Sequence, residues 1–370
     1  MIAEPIKDFR NFLFLCWEHL GLPEPTPVQY QIASYLQKGA KRRVIEAFRG
    51  VGKSWITSAY VVHRLLLDPS INILVVSASK QRSDDFSTFT LRLIEDMPML
   101  QHLRPKDNQR NSKIAFDVAP APASHAPSVV SKGITSQITG SRADLIIADD
   151  VESLNNSATV NLRDKLGETI KEFEAVLKPG GHIVYLGTPQ SDQSIYNMLP
   201  ERGYEIRVWP ARYPDPKQRI AYGLRLAPEI SKSLDENPDL QGTPMDPVRF
   251  DDHDLRERES AYGRSGFNLQ FMLDTVQSDF DKYPLKLTDL MVVSLNGDVA
   301  PEKPVWAGDP SLVLSDLPCV GLNGDKYYRP MAFIGSWIDY TGSVMAVDPS
   351  GRGADRPRRR RRRGKGAPPA

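Results

Sequence analysis

Cysteine is nearly absent from this 370-residue chain. The two that occur, Cys16 and Cys319, stand far apart and match neither a metal nor a disulfide spacing, which argues for core residues in a reducing compartment. No apolar run is long enough to span a bilayer, and the N-terminal Met-Ile-Ala-Glu-Pro has no signal-peptide layout. A soluble, cytosolic protein with no membrane partner is therefore expected. An excess of positive charge is missing too. The net charge is +1, but eight basic and no acidic residues follow Asp355, leaving 39 basic against 46 acidic before that point, a balance of −7. Charge alone thus gives no reason to read the folded body as a nucleic-acid binder, and any grip on DNA has to come from a local patch.

What is present is an ordinary globular composition, 40% hydrophobic and 25% charged, in a chain long enough for two domains or one large α/β domain with appendages. Its most informative stretch is Ala47 to Ser54, Ala-Phe-Arg-Gly-Val-Gly-Lys-Ser, between a short strand-like run at Arg43–Glu46 and an apolar-periodic helix. This is the Walker A pattern with Ala in place of the first Gly. Gly50, Val51 and Gly52 would turn backbone N–H groups inward, and the following helix adds its positive dipole end, making an anion cradle for ATP. Lys53 would reach the β- and γ-phosphates and the Ser54 hydroxyl would ligate Mg²⁺. The competing reading is a Gly-rich strand-to-helix turn with an incidental lysine.

A second stretch supports the first. Leu145 to Asp150, Leu-Ile-Ile-Ala-Asp-Asp, is a buried-strand run ending in two carboxylates, a Walker B pattern. Such a strand places one carboxylate near Mg²⁺ and another where it polarises an attacking water. Asp149 is assigned to the metal and Asp150 to the water, with Glu152 as the rival base; spacing does not separate the last two. Gly187-Thr188-Pro189-Gln190 follows another strand, and Thr188 would sit beside Walker B as a γ-phosphate sensor or simply end the strand in a turn. Gln29 would read the adenine edge or face solvent.

The remaining periodicities predict helices over Asp8–Leu20, with Phe12, Leu15, Cys16 and His19 as a core stripe, from Pro27, over Trp55–Leu67, from Lys80 to Met97 and from Asn155 to about Leu177. Further helices are predicted over Asp252–Tyr262 and Ser265–Leu273. Strands are predicted over Ile71–Ser77, His182–Leu186, Tyr204–Trp209, Met331–Trp337 and Ser343–Val347. Gln101–Pro127 is proline-punctuated and expected to form loops and short hairpins outside the core, and in Pro210–Pro247 crowded prolines are expected to thin out regular structure. Arg256, Arg258 and Arg264 serve either a DNA or subunit face or a solvated helix face. The arginine run Arg358–Arg363 cannot bury apolar surface and is expected to be disordered, able to bind phosphate backbones non-specifically. Alternating strands and helices predict an open, mostly parallel α/β sheet with helices on both faces and ligands at the C-terminal strand ends.

At Ala47–Ser54, Leu145–Glu152 and Gly187–Gln190, together with Thr139–Asp144, Asn155–Ser157 and Gly266–Leu273, the chain resembles the large terminase subunit of tailed double-stranded DNA phages, most closely the DNA maturase B type. The resemblance implies a P-loop ATPase of the additional-strand, catalytic-carboxylate type that drives viral double-stranded DNA into a procapsid. Implied partners are a small terminase subunit, the portal protein and further copies of the chain in a homo-oligomeric ring. The setting would be the host cell cytoplasm, with transient docking on the procapsid.

The resemblance also gives Arg49 a role in cis on the γ-phosphate, against the alternative of a surface ion pair holding the loop. It divides the chain into an ATPase core over 1–210, a linker and lid region over 211–340, the first strand of an RNase H-like nuclease over 341–355 with Asp348 as one metal-binding carboxylate, and an Arg-rich tail over 356–370. The further nuclease carboxylates do not follow, so loss of endonuclease activity by truncation is expected. A helicase-like translocase, and an inert ATP-binding fragment with a nucleic-acid-binding tail, are the alternatives.

Overall fold

In a computed structural model of the chain, the structure describes residues 3–191, 193–275, 291–295, 297–314 and 327–341. Two units are separable, Met1–Tyr283 and Pro284–Ala370. The first holds the sheet and also residues 211–275.

The first unit opens with α1 (Phe9–His19) and α2 (Pro27–Lys38). In α1 the side chains of Phe9, Phe12, Leu13, Cys16 and Trp17 form the buried stripe, and Asp8 accepts from the Arg10 N–H as its cap. His19 does not join that stripe: it is exposed, because it falls in the last turn on the solvent side. The chain then runs through β1 (Arg42–Ala47), α3 (Lys53–Leu67), β2 (Ile73–Ser77), α4 (Lys80–Asp96), the short β3 (Ala115–Phe116), β4 (Val129–Gly133) and β5 (Ala143–Asp149). Short helices α5 (Leu154–Ser157), α6 (Val160–Thr169) and α7 (Glu172–Val176) lead to β6 (Leu177–Gly187) and β7 (Glu205–Trp209). After β7 come α8 (Pro216–Tyr222), α9 (Pro228–Glu236) and α10 (Asp252–Gln270).

The seven strands lie in the order β3-β4-β2-β5-β6-β1-β7. Every pairing is parallel except β3 with β4. The central strands are covered on both faces and read as continuous apolar runs, Ile73–Val76 and Leu145–Ala148, because neither face meets water. One strand, β6, stands between the P-loop strand β1 and the Walker B strand β5. This is the additional-strand arrangement, so the chain is a P-loop α/β fold of the expected class. The register sets Asp149 opposite Leu186 and Glu46 opposite Gly187, which brings the ends of β5, β6 and β1 to one edge. Ligand chemistry in open parallel sheets belongs at that edge.

Several sequence expectations are revised. The helix expected from Asn155 to Leu177 is three short helices, and β6 starts at Leu177 rather than after Gly180-Gly181. The early part of β6 is kept extended by its partner, and its register with β5 shifts between the Ala143 and Leu145 pairings, absorbing the glycine pair. Strand β4 was not expected; its Ser131 and Lys132 disguise a stretch held between β2 and β3. The Pro-rich 210–247 stretch contains α8 and α9, each with a proline in its first turn, where a missing N–H costs nothing. The two helices expected around Ser265 are continuous except at Gly263, whose φ of 68° breaks the helical geometry.

In the second unit β8 (Val299–Val305) pairs antiparallel with β9 (Ala332–Asp339), which overlaps the strand expected at Met331–Trp337. The strand expected at Ser343–Val347, Asp348 and the arginine run lie outside the described residues. Among the described residues no helix is long and apolar enough to cross a membrane.

Candidate nucleotide site

An open cavity of about 850 Å³ lies over the convergent strand ends. The loop after β1 forms its floor. Gly50 and Gly52 hold φ of 98° and 93°, left-handed values that an L side chain rarely adopts, and Gly52 is the residue from which α3 starts. The start of α3 aims its unpaired N–H groups and positive dipole end at the cavity.

Lys53, in the first turn of α3, is 7% exposed. Its Nζ donates to the Ala47 carbonyl at 2.7 Å and to Thr188 Oγ1 at 2.9 Å. Burial lowers its pKa, opposed by the nearby Asp150 and Asp149. An ammonium held by two neutral oxygens beside a concave row of backbone amides is complementary to an anion. Next to it the Ser54 hydroxyl lies 3.0 and 2.9 Å from the two oxygens of Asp149. Burial pushes the Asp149 carboxyl up to about 7, with Asp150 adding to the rise and Ser54 opposing it.

These residues fit a magnesium ion carried with a nucleotide. Mg²⁺ needs only one or two protein oxygens when phosphates and water complete its octahedron, and Ser54 with Asp149 would supply them. Among the described residues no group of three or more His, Cys, Asp or Glu is gathered to hold a metal by itself. Bound there, the ion would neutralise phosphate charge.

The two rival bases differ sharply in surroundings. Both line the cavity, but Asp150 is half-buried and in a left-handed conformation with φ of 45°, its N–H donating to the Leu186 carbonyl. Glu152 is 1% exposed and accepts three hydrogen bonds, from Gln190 N–H at 3.1 Å, Ser194 Oγ at 2.6 Å and Ile195 N–H at 2.8 Å. Burial raises its pKa and those three donors oppose the rise. Its oxygens tie the segment after β6 to the segment after β5.

Thr188, just after β6, accepts from Lys53 Nζ, and its hydroxyl also approaches the Ala47 carbonyl, at the end of β1, at 3.3 Å. Gln29 is buried, not solvent-facing: its Nε2 donates to the Val51 carbonyl at 2.9 Å and its Oε1 accepts from Thr26 N–H at 3.1 Å. In this structure its amide therefore holds the P-loop. Arg49 is exposed at the cavity wall, and its guanidinium meets the Gln270 side chain at 3.4 Å rather than a carboxylate. Arg82, Arg249 and Gln270 also line the cavity and escaped sequence reading. Arg82 carried a usable signal, since it sits in the first turn of a helix entered from a strand's C-terminal end. Arg249 and Gln270 carried none.

A characterised relative spans this arrangement. The terminase large subunit of Enterobacteria phage T3 is 46% identical over 361 residues, 96% of this chain. The chain is similar to that phage large terminase subunit. It spans 62% of that terminase's length. No family model matches it. Among solved structures, the large terminase ATPase domain of Thermus phage P74-26, in a mutant form, aligns with a TM-score of 0.42 at 15% identity over 70% of this chain and 97% of that one. The HK97 bacteriophage large terminase aligns with a TM-score of 0.42 at 14% identity over 72% of this chain and 54% of that one.

Proposed function

We propose that the chain is the ATP-hydrolysing motor part of a phage DNA-packaging terminase. The observation that carries this reading is the Lys53 ammonium, buried at the P-loop and held by neutral oxygens, with the Ser54–Asp149 pair at its side. Lys53 and the amides of Gly50 to Ser54 hold the β- and γ-phosphates of ATP. Ser54 and Asp149 hold Mg²⁺. Asp150 takes the proton of the attacking water, while Glu152, occupied by three donors, keeps the loops after β5 and β6 in register. Arg49, on the same wall as the phosphate loop, stabilises charge developing on the γ-phosphoryl oxygens, and Thr188 reports the state of Lys53 to β6. Gln29 and the residues around it close the base end of the cavity.

Hydrolysis in a packaging motor moves double-stranded DNA through the portal of a procapsid. The partners are accordingly that DNA, the portal, a small terminase subunit and further copies of the chain, all in the host cytoplasm. A translocase acting on free nucleic acid would share the same ATPase chemistry and differ in needing no capsid. The decisive experiment measures Mg²⁺-dependent ATP hydrolysis by the purified chain and by Lys53→Ala, with and without double-stranded DNA and procapsids. Turnover lost in Lys53→Ala, and stimulated by DNA and procapsids together, supports the proposal. Turnover unaffected by Lys53→Ala overturns it, and DNA stimulation indifferent to procapsids favours the free translocase.

A further inference from the structure

Two hundred residues beyond the P-loop, the turn at 246–250 folds back onto it. Arg249 Nη1 donates to the Val51 carbonyl at 2.8 Å and Nη2 to the Gly50 carbonyl at 3.1 Å. Phe250, buried beside Arg249, packs its ring over Gly50: a Cβ built there would meet Phe250 Cζ at 2.7 Å. The same ring stands edge-on to Phe48, with centroids 5.3 Å apart. The turn is itself fastened, since the Asp246 carbonyl accepts from Arg249 N–H at 3.2 Å and Phe250 N–H at 2.8 Å, and the Asp246 carboxylate accepts from Thr26 Oγ1 at 3.1 Å. Thr26 begins α2, whose Gln29 makes the second hydrogen bond to the Val51 carbonyl.

From this closed ring of contacts we infer that Arg249 is a positioning residue for phosphate binding: it acts on the cradle through the backbone carbonyls of Gly50 and Val51. The reason is peptide geometry. A trans peptide is planar, with its C=O and N–H on opposite sides, so pulling the Val51 carbonyl outward with two donors turns the Gly52 N–H the other way, into the cradle. Glycine on both sides of Val51 leaves these peptides free to rotate, so the orientation has to be imposed from outside. A guanidinium is suited to the task because its planar fork presents separate donors in fixed geometry to two consecutive carbonyls.

The inference rests on the nucleotide reading above, and its test separates the two. In the purified chain, Arg249→Gln and Arg249→Lys are compared with the unaltered chain for steady-state ATP hydrolysis and for binding of Mg²⁺-ADP and of inorganic pyrophosphate. Losing a charged donor at this partly screened position is expected to weaken both ligands and raise the ATP KM about tenfold. Because the Gly52 N–H serves ground and transition states alike, kcat should stay within about twofold. Arg249→Lys, with the charge restored but without the fixed fork, should fall between Arg249→Gln and the unaltered chain. Unchanged KM and pyrophosphate affinity in either variant, or a fall in kcat at constant KM, overturns the inference while leaving the nucleotide site standing. If the unaltered chain binds neither ligand, it is the nucleotide reading that fails. Thermal unfolding followed by circular dichroism identifies a misfolded Arg249→Gln, in which case Arg249→Lys decides.

Discussion

The ammonium of Lys53 and the hydroxyl of Thr188 are hydrogen-bonded at 2.9 Å across 135 residues of sequence, joining the first turn of α3 to the end of β6. Both groups are buried, so removing the hydroxyl leaves the cation short of an acceptor. Thr188→Val is expected to lower stability by about 1–3 kcal/mol. Hydrolysis should fall by roughly tenfold to a hundredfold as Lys53 loses its alignment. Thr188→Ser keeps the oxygen and should retain most of both. Chemical denaturation and initial-rate assays on the three proteins check this, and equal behaviour of the Val and Ser variants would show that the hydroxyl has no part in it.

Asp150 and Glu152 should separate by substitution. Asp150→Asn is expected to bind Mg²⁺-ATP normally while hydrolysing it at least about a hundredfold more slowly. Glu152→Gln replaces an acceptor oxygen by a donor amide facing Gln190, Ser194 or Ile195. It should mainly cost stability, about 1–3 kcal/mol. Nucleotide-binding titrations, single-turnover rates and denaturation midpoints measure all three quantities. Full hydrolysis by Asp150→Asn, with loss in Glu152→Gln at unchanged stability, would transfer the base to Glu152.

Glu46, in β1, is 1% exposed, and its Oε1 has no hydrogen-bond partner. Burial raises its pKa from 4.5 to about 7, opposed by Arg225 and reinforced by Glu152. Between those values the unfolded chain has released a proton that the folded chain still holds, so stability falls as pH rises through this window. The accumulated loss above pH 7 is roughly 3 kcal/mol, from about 2.5 pKa units at 1.36 kcal/mol each. Glu46→Gln should therefore match the unaltered chain near pH 4.5 and be more stable at pH 8. Denaturation curves across that range give the answer, and a difference independent of pH would refute the assignment.

Gly187 ends β6 directly before Thr188, and a Cβ built on it overlaps the ring of Tyr196, which is fully buried. Gly187→Ala should cost about 1–3 kcal/mol by overpacking. Adding Tyr196→Ala should make the second change less damaging than it is alone, because the space in conflict has been vacated. Additive losses in this double-mutant cycle would mean that the ring does not limit the position.

Local chemistry in the sequence determined the elements that belong to short stretches. Gly50, Gly52, Lys53 and Ser54 specify a phosphate loop because backbone freedom, cation and hydroxyl fall within five consecutive residues, and Leu145–Asp150 specifies a buried strand ending in carboxylates. The open parallel sheet followed from the alternation of such strands with helices. Tertiary structure decided what depends on distant segments meeting. It placed β6 between β1 and β5, buried Gln29 with a hydrogen bond to the Val51 carbonyl, surrounded Glu152 with donors from after β6, and brought Arg249 onto the loop. Arg249 does not differ in sequence from an ordinary surface arginine, and the sequence left Glu152 only as a rival to Asp150. Hydrogen-bond partners up to 199 residues apart give them their roles, and periodicity, which reports only on neighbours along the chain, carries no trace of such pairings.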